Sequence, residues 1–380
     1  MIYADNASTT QLSKGAFESM LPYLSSDYGN ASSRHMLGVR AQNAVKLARN
    51  QIANAIGAEN SEIIFTSCGS ESNNLVLQSV STNLSTDKET HIITSSIEHH
   101  SVLSTCSMLE KRGIKVTYLP VDGRGVVSLS DVKRALRPST KLISIMLANN
   151  EIGTIQPIAE ISQLIKDTGI LFHVDAVQAV GHIQVNVSNL GVDFLTASAH
   201  KFNGPKGSGF LYIRSGLKLH PLIYGGEQEF GIRAGTENVA GIVGMGYAIW
   251  ESVKLIDYES CRLKEMVKET IRGIKDTVET FLINGDSDNK LPGILNISLN
   301  SISGQSLMHI LSMKGICVST GSACNSLSDE PSHVLLQIGR PKNIANSQIR
   351  ISYGRYNTLE EVGVIVREIS SSYKKIKNLL

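Results

Sequence analysis

The chain is poor in several kinds of residue, and each scarcity excludes a class of protein. It has 5 cysteines in 380 residues and no CxxC pair, which argues against a disulfide framework or a zinc site and indicates a reducing compartment. Asp5 stands where a signal peptide carries basic residues, so we expect a cytoplasmic protein. No apolar run reaches the roughly 18 residues of a membrane span. The formal net charge is +2 without a Lys/Arg cluster, so we expect no nucleic-acid partner.

What the chain does contain is an alternation of helical and strand patterns from about residue 40 onward. Apolar residues at helical spacing, followed by a glycine as a stop signal, predict a helix over Val45, Ala48, Ile52 and Ile56 that ends at Gly57. A second helix is predicted at Ile158–Lys166, behind Pro157. A long amphipathic helix is predicted after Thr236, with a charged helical stretch at 257–275 opening a smaller lobe.

Short apolar runs between the helices predict a buried sheet. Continuous rather than alternating hydrophobicity is typical of strands buried on both faces, as in doubly wound α/β proteins, where ligands bind at the carboxyl ends of the strands. The predicted strands are Ile63–Thr66, His91–Thr94, Leu142–Leu147, Leu171–Val174, Phe194–Ala197 and Gly209–Ile213. The fold class is therefore α/β.

Three residues form the most informative set for function. Asp175 ends a strand, Lys201 follows the next strand, and Cys324 lies in a Ser/Gly-rich loop at 319–329. Such a set suits an enzyme that holds an aldehyde cofactor as a Schiff base, pairs its ring nitrogen with a carboxylate and passes substrate to a thiol. Taken alone, Lys201 also suits a surface turn, and Asp175 also suits a helix cap.

Two further motifs leave alternatives open. The turn at 66–73 carries small hydroxyl residues ahead of a helix, which suits a phosphate but also resembles an ordinary helix cap. His99 suits stacking over a ring, acid–base chemistry or a satisfied polar position. The pair His99-His100 has no third ligand at metal-site spacing, so we expect no resident metal.

Together these motifs resemble the cysteine desulfurases of the NifS/IscS kind, which are class-V aminotransferase-like enzymes that depend on pyridoxal 5'-phosphate (PLP). The resemblance runs nearly end to end, through Asp5–Ala7, Gly29–Ser33, Thr66–Asn74, Glu98–His99, Asn149–Thr154, His173–Gln178, Ser198–Lys201, Gly225–Glu229, Arg233–Glu237, Gly321–Cys324 and Ile349–Ser352. The chain departs from the family at Ala31, where proline is usual, and at Ala199, where many relatives carry glycine.

The resemblance implies the fold of the PLP-dependent transferases of fold type I, which is aspartate-aminotransferase-like. A large domain would contain a mostly parallel seven-stranded sheet and a smaller domain would be α+β. The implied ranges are 14–255 for the PLP-binding domain, and 1–13 with 256–380 for the small domain that carries the cysteine loop. The resemblance also implies a homodimer.

Site roles follow from the resemblance residue by residue. Catalytic roles fall to Cys324, Lys201 and His99, and the substrate carboxylate would bind Asn150 and Arg350. The implied cofactor-binding residues are Lys201, Gly69, Ser70, His99, Asn150, Asp175, Gln178, Ser198, His200 and Thr236, the last reaching the phosphate of the other subunit. Transient ligation of an iron–sulfur cluster through Cys324 stays open.

The implied reaction converts L-cysteine to L-alanine and leaves a persulfide on Cys324. The sulfur acceptor would be an iron–sulfur scaffold protein or a tRNA-thiolating enzyme, so the enzyme would serve cluster assembly, tRNA thiolation or both. A selenocysteine lyase, another PLP-dependent lyase or a transaminase of the same fold is the alternative. A sulfur-carrier or redox-sensing protein without cofactor is an alternative of a different class.

Overall fold

The chain folds around a seven-stranded sheet and a smaller three-stranded one in the computed structural model, which describes residues 1–82, 90–321 and 330–378. The strands are β1 Ile2–Tyr3, β2 Ile63–Thr66, β3 His91–Ser95, β4 Lys115–Leu119, β5 Thr140–Met146, β6 Leu171–Asp175, β7 Phe194–Ser198, β8 Gly209–Ile213, β9 Phe281–Asn284, β10 Ile294–Leu299, β11 Ile316–Cys317 and β12 Gln348–Ser352. The α-helices are α1 Lys14–Ser25, α2 Met36–Ile56, α3 Gly69–Thr82, α4 His100–Lys111, α5 Leu129–Ala135, α6 Ile158–Leu164, α7 Val187–Leu190, α8 Val239–Lys275, α9 Gly304–Met313, α10 His333–Gln337, α11 Lys342–Asn346 and α12 Leu359–Lys377.

The large sheet is mostly parallel, as the sequence predicts. Its strand order is β2-β8-β7-β6-β5-β3-β4, and β8 runs antiparallel to both of its neighbours. The central strands β5, β6 and β7 run parallel, so their carboxyl ends share one edge of the sheet. Asp175 and Ser198 are the last residues of β6 and β7, and the single turn of 3₁₀ helix that carries Lys201 follows β7 directly. The topology therefore gathers the predicted site at this edge.

Strands β2 and β8 have the predicted bounds, β3, β6 and β7 each extend one residue further, and β5 spans Thr140–Met146 rather than the predicted Leu142–Leu147. Helix α2 ends at Ile56 because Gly57 adopts a left-handed φ of 69°, as predicted. Helix α6 ends at Leu164 rather than at the predicted Lys166. The chain leaves the helix early because Asp167 and Gly169 both adopt left-handed backbone angles, with φ of 63° and 74°.

Each of the two sheets has its own hydrophobic core, the first around the large sheet and the second around the small one. Apolar side chains from the helices cover both faces of the large sheet, and a separate core lies between the small sheet β12-β10-β9 and helices α9 and α12. The N-terminal segment joins the second core, because Ala4 is buried there and Ile2 pairs with Ile316 in a parallel bridge between β1 and β11. Hydrophobic burial thus holds the chain's first residues against its C-terminal part.

Helix α8 connects the two cores as one uninterrupted helix of 37 residues, where the sequence suggests a long helix followed by a second charged stretch. Ile242 and Ile249 are buried in the first core, and Leu263 and Ile274 in the second. Among the described residues it is the one helix long and apolar enough to cross a membrane, yet 56% of its most apolar window is buried inside the protein. Its apolar face is therefore a core face. The predicted domain boundary falls inside this helix and stays a prediction.

Candidate active site

A cavity of about 260 Å³ opens at the carboxyl edge of the large sheet. The residues that line it are Ala7, Ser8, Cys68, Gly69, Ser70, Asn73, His99, Ser101, Met146, Ala148, Asn150, Asp175, Val177, Gln178, Ser198, His200, Lys201 and Arg350. They come from distant parts of the chain and include every described residue predicted for the site except Thr236. One concave site with several convergent polar groups is the usual form of a small-molecule pocket.

Lys201 lies on the cavity wall, held by the N-terminal segment. Its Nζ donates hydrogen bonds to the backbone oxygens of Ala7 and Ser8, at 2.7 and 2.8 Å. Gln178 donates from Nε2 to the same Ala7 oxygen at 2.9 Å. Two carbonyl dipoles thus position the amine. It faces the cavity rather than bulk water, as a covalent cofactor attachment requires.

Asp175 is buried at the end of β6, with 6% of its surface exposed. Its Oδ1 accepts a hydrogen bond from the backbone N–H of Val177 at 3.0 Å. Its Oδ2 accepts one from Nδ2 of Asn73 at 2.7 Å. Two donors, one on each oxygen, fix the plane of the carboxylate. A carboxyl group at this depth is suited to a cationic partner such as a protonated ring nitrogen.

One end of the cavity has the form of an anion cradle. Helix α3 begins at Gly69, so backbone N–H groups and the positive end of the helix dipole face the cavity. A Cβ atom on Gly69 would lie 2.5 Å from Val177 Cγ2, so a larger residue would close this approach. The Ser198 hydroxyl is buried and has no hydrogen-bond partner among the described residues. A phosphate would satisfy that hydroxyl and the helix N-terminus together.

His200 borders the same end of the cavity in its neutral form. Its Nδ1 lies 3.1 Å from the hydroxyl of Thr9. Burial, together with the nearby Lys201 and Lys206, lowers the pKa of His200 to about 4. The imidazole therefore offers a neutral hydrogen-bonding group beside the phosphate cradle, and the positive charge there comes from the helix dipole and the lysines. The residues present fit PLP at both its ring and its phosphate.

His99 caps helix α4 and projects into the cavity. Its Nδ1 accepts a hydrogen bond from the backbone N–H of Ser101 at 3.1 Å and lies 2.9 Å from the Ser101 hydroxyl. Burial lowers the pKa of His99, and Lys201 acts in the same direction, while the Asp175 carboxylate opposes them. The imidazole is therefore neutral at physiological pH.

Arg350 enters the cavity from β12, which belongs to the small sheet. Its Nη1 donates to the backbone oxygen of Asn150 at 2.8 Å, and its Nη2 donates to Asp5 Oδ1 and to Ser8 Oγ, both at 2.7 Å. Its buried Nε has no hydrogen-bond partner among the described residues. A guanidinium that is fixed through Nη1 and Nη2 and keeps Nε as a further donor is suited to binding a carboxylate.

One predicted site residue does not line this cavity, and a second lies outside the described residues. Thr236 is exposed on the loop ahead of α8 and does not line the cavity within the described parts of one chain. Its predicted role concerns the other subunit's phosphate and stays a prediction. Cys324 lies outside the described residues, so its predicted role as nucleophile stays a prediction as well. Within the described ranges no group of three or more His, Cys, Asp or Glu side chains could hold a metal ion.

Sequence reasoning missed the residues that hold the predicted ones in place. Asn73 ends the turn motif at 66–73, but the sequence predicts no role for its side chain. It lies four residues after Gly69 and so on the same face of α3. Ser101 follows His99 at the spacing of a helix cap, which is a signal for its contact with that imidazole. The pairing of Asp5 with Arg350 has no local signal, because the two residues lie at opposite ends of the chain.

Comparison with known sequences places the chain in a family over almost its whole length. The aminotransferase class-V family matches residues 2–365. The chain is 50% identical to the cysteine desulfurase IscS of Dictyoglomus turgidum, an alignment that covers 100% of this chain and 96% of that protein. It is 47% identical to the cysteine desulfurase IscS of Methanosarcina thermophila, over 100% of this chain and 93% of that one.

Solved structures agree with this assignment. A NifS-like protein superposes with a TM-score of 0.93 at 38% identity, covering 98% of this chain and 99% of that one. SspA in complex with cysteine superposes with a TM-score of 0.84 at 38% identity, covering 94% of this chain and 100% of the other. The family, the fold and the cofactor chemistry of the cavity thus agree, and the chain belongs to the class-V aminotransferases and, within them, to the PLP-dependent cysteine desulfurases of the NifS/IscS family.

Proposed function

We propose that this protein converts L-cysteine to L-alanine and retains the sulfur as a persulfide on Cys324. The observation that carries the proposal is that Lys201, Asp175, His99 and Arg350, which come from four separate segments, line one cavity. Full-length similarity to cysteine desulfurases and to a structure solved with cysteine supports L-cysteine as substrate. A selenocysteine lyase or transaminase would share the cavity, and a substrate panel distinguishes them by product.

Bound PLP supplies an electron-withdrawing ring that stabilises negative charge at the substrate's Cα. The chain's residues prepare the site for it. Lys201 offers its amine for covalent attachment and then holds and returns the proton at Cα, and Asp175 keeps the ring nitrogen protonated. Gln178 is assigned to the phenolic oxygen and His99 to the ring face. Gly69, Ser70, Ser198 and His200 are assigned to the phosphate.

Arg350 and Asn150 are assigned to the substrate carboxylate. The Arg350 guanidinium is only 2% exposed, so a carboxylate meets it in a poorly hydrated setting where charge-assisted hydrogen bonds are strong. The Asn150 backbone oxygen already fixes one end of that guanidinium at 2.8 Å. Binding the carboxylate orients Cα and Cβ of the substrate toward Lys201, which the same cavity contains.

Cys324 is assigned to sulfur transfer. Its thiolate attacks the sulfur of the substrate, an S–S bond forms, and the Cβ–S bond breaks. The electron pair of the broken bond goes to Cβ, which takes up a proton and becomes the methyl group of alanine. The overall exchange is L-cysteine plus a protein thiol giving L-alanine plus a protein persulfide, and no external oxidant or reductant is required.

Two variants with matched controls test the proposal. Cys324→Ser should bind PLP but form neither persulfide nor sulfide, whereas Cys261→Ser, at an exposed cysteine on α8, should retain turnover. Lys201→Ala should lose the visible absorbance of covalently bound cofactor, whereas Lys166→Ala, at an exposed lysine, should keep it. Alanine and sulfide are quantified after addition of L-cysteine, and full turnover by Cys324→Ser would contradict the proposal.

A homodimer and a protein sulfur acceptor complete the proposal, in the cytoplasm. Exposed apolar side chains on α1 and α2 support a subunit contact, namely Phe17, Leu21, Leu24, Met36, Val39 and Leu47. Sedimentation of the purified protein should give twice the chain mass, and a monomer at micromolar concentration would contradict the dimer.

An iron–sulfur scaffold protein or a tRNA-thiolating enzyme is the proposed acceptor. Radioactive sulfur from cysteine should pass to it from the wild type but not from Cys324→Ser.

A further inference from the structure

One buried amide connects the two side chains that the proposed function assigns to the cofactor ring. Asn73 lies in the second turn of α3 with 1% of its surface exposed. Its Nδ2 donates to Asp175 Oδ2 at 2.7 Å and to Ser101 Oγ at 2.9 Å. An amide nitrogen carries two hydrogens, and both are used here. The opposite orientation of the amide would put Oδ1 against the Asp175 carboxylate, so the network itself fixes which atom is nitrogen.

The direction of hydrogen bonding then continues to His99. Ser101 Oγ accepts from Asn73, so its own hydrogen is directed to His99 Nδ1 at 2.9 Å. The backbone N–H of Ser101 also donates to this Nδ1, at 3.1 Å. With two donors aimed at it, Nδ1 is an acceptor, and the proton of the neutral imidazole lies on Nε2. Asn73 thus donates both to Asp175 and to Ser101, and Ser101 donates in turn to His99.

We propose that Asn73 is a positioning residue that fixes the carboxylate plane of Asp175 and, through the Ser101 hydroxyl, directs a second hydrogen bond to His99 Nδ1. The inference deepens the proposed function and rests on it for the roles of Asp175 and His99. Removing the amide leaves Asp175 held on one oxygen only, by Val177. In Asn73→Asp the new carboxyl group shares a proton with Asp175 and accepts from Ser101 Oγ, so the Ser101 hydroxyl hydrogen no longer reaches His99 Nδ1.

The first measurement uses the full-length protein without cofactor. Nitrogen-15 NMR of labelled histidine should show the Nε2–H tautomer for His99, assigned by its loss in His99→Gln. In Asn73→Asp the Nδ1 resonance should shift, because Nδ1 loses the hydrogen bond from the Ser101 hydroxyl. Asn74→Asp is the matched control, because the Asn74 amide donates to Ser70 O and accepts from Thr105 instead. An Nδ1–H tautomer in the wild type, or an unchanged signal in Asn73→Asp, would overturn the proposal.

The second measurement is PLP affinity by absorbance titration of the cofactor-free protein. Groups that orient metal ligands cost about 10- to 100-fold in affinity or activity when lost, and we expect about tenfold weaker PLP binding for Asn73→Ala. Asn74→Ala should bind as the wild type does. If Asn73→Asp fails to fold, as judged by circular dichroism, Asn73→Ala still decides, and wild-type affinity in that variant overturns the proposal. Neither measurement needs turnover, so loss of the proposed desulfurase activity would appear separately.

Discussion

Arg350 and Asp5 form a buried ion pair that connects the C-terminal sheet to the first residues of the chain. Nη2 of Arg350 lies 2.7 Å from Asp5 Oδ1, with the two side chains 2% and 18% exposed. The Ser8 hydroxyl contacts both partners, donating to Asp5 at 2.9 Å and accepting from Arg350 at 2.7 Å. The guanidinium that is assigned to the substrate carboxylate is therefore already held by another carboxylate.

Neutralising this acid should destabilise the cofactor-free protein. Asp5→Asn keeps an oxygen for Arg350 but removes its charge, and hydrogen bonds to charged groups contribute about 2 kcal/mol. We expect a loss of about that size in urea denaturation. Ser8→Ala, which removes a neutral partner of the same guanidinium, should cost only about 1 kcal/mol. Equal losses in the two variants would mean that the charge of Asp5 does not matter.

A second buried pair should be the more costly to break. Glu229 accepts from Nη1 and Nη2 of Arg49 at 2.8 and 2.7 Å, and also from the backbone N–H of Phe65 at 2.8 Å. Breaking a buried pair leaves an uncompensated charge, so Glu229→Gln should lower the free energy of unfolding by about 3 kcal/mol. Glu265→Gln removes an exposed partner of Lys268 and should cost under about 1 kcal/mol. Urea denaturation of both variants checks the difference.

Glu98 should make the protein less stable as the pH rises. It is fully buried, and among the described residues only its Oε1 is hydrogen-bonded, to Ser95 and Met146. Burial, with Asp175 nearby, raises the pKa of Glu98 to about 8. Between the unfolded pKa of about 4.5 and this value, the folded state keeps a proton that the unfolded state has released. Stability therefore falls with rising pH across this window.

Glu98→Gln should remove this pH dependence, because the glutamine amide has the shape of the neutral acid but does not titrate. The measurement is the free energy of unfolding at several pH values between about 5 and 8, where one released proton corresponds to about 1.4 kcal/mol per pH unit. The variant should show a flatter slope and greater stability than the wild type at about pH 8. An unchanged slope would mean that Glu98 is ionised in the folded protein.

Buried neutral histidines should produce the opposite dependence on the acid side. Burial lowers the pKa of His173 to about 3 and that of His91 to about 4, and each imidazole is hydrogen-bonded to two threonine or serine hydroxyls. Below the unfolded pKa of 6.5 these imidazoles are protonated in the unfolded chain but remain neutral in the folded protein. Stability therefore falls as the pH drops toward about 4. His173→Gln should reduce the proton uptake on unfolding at about pH 5 by about one, measured by calorimetry in buffers of different ionisation enthalpy.

The fold could be predicted from the sequence where local patterns decide the structure. Continuous apolar runs such as Phe194–Ala197 indicate strands buried on both faces, and Gly57 marks the end of a helix through its left-handed backbone. The continuity of α8 could not be predicted in this way. Its apolar face changes from one core to the other, so the charged stretch after Asp257 reads as a separate element.

The site could be predicted as a set of residues but not as an arrangement. Strand-end positions predict that Asp175 and Lys201 share an edge, since parallel strands end together. Nothing local indicates that Asn73 donates to Asp175 or that Asp5 holds Arg350, because those contacts depend on tertiary structure. The resemblance to a family supplied the roles, and the geometry supplied the residues that support them.

The parallel bridge between Ile2 and Ile316 has a consequence for synthesis of the protein. The first strand emerges from the ribosome early, and its partner is translated only after most of the chain. Ala7 and Ser8, which accept from the Lys201 amine, lie just beyond that strand, and Arg350 is made later still. A nascent chain can therefore assemble the large sheet while its catalytic pocket stays open, and PLP meets a complete pocket only near the end of translation.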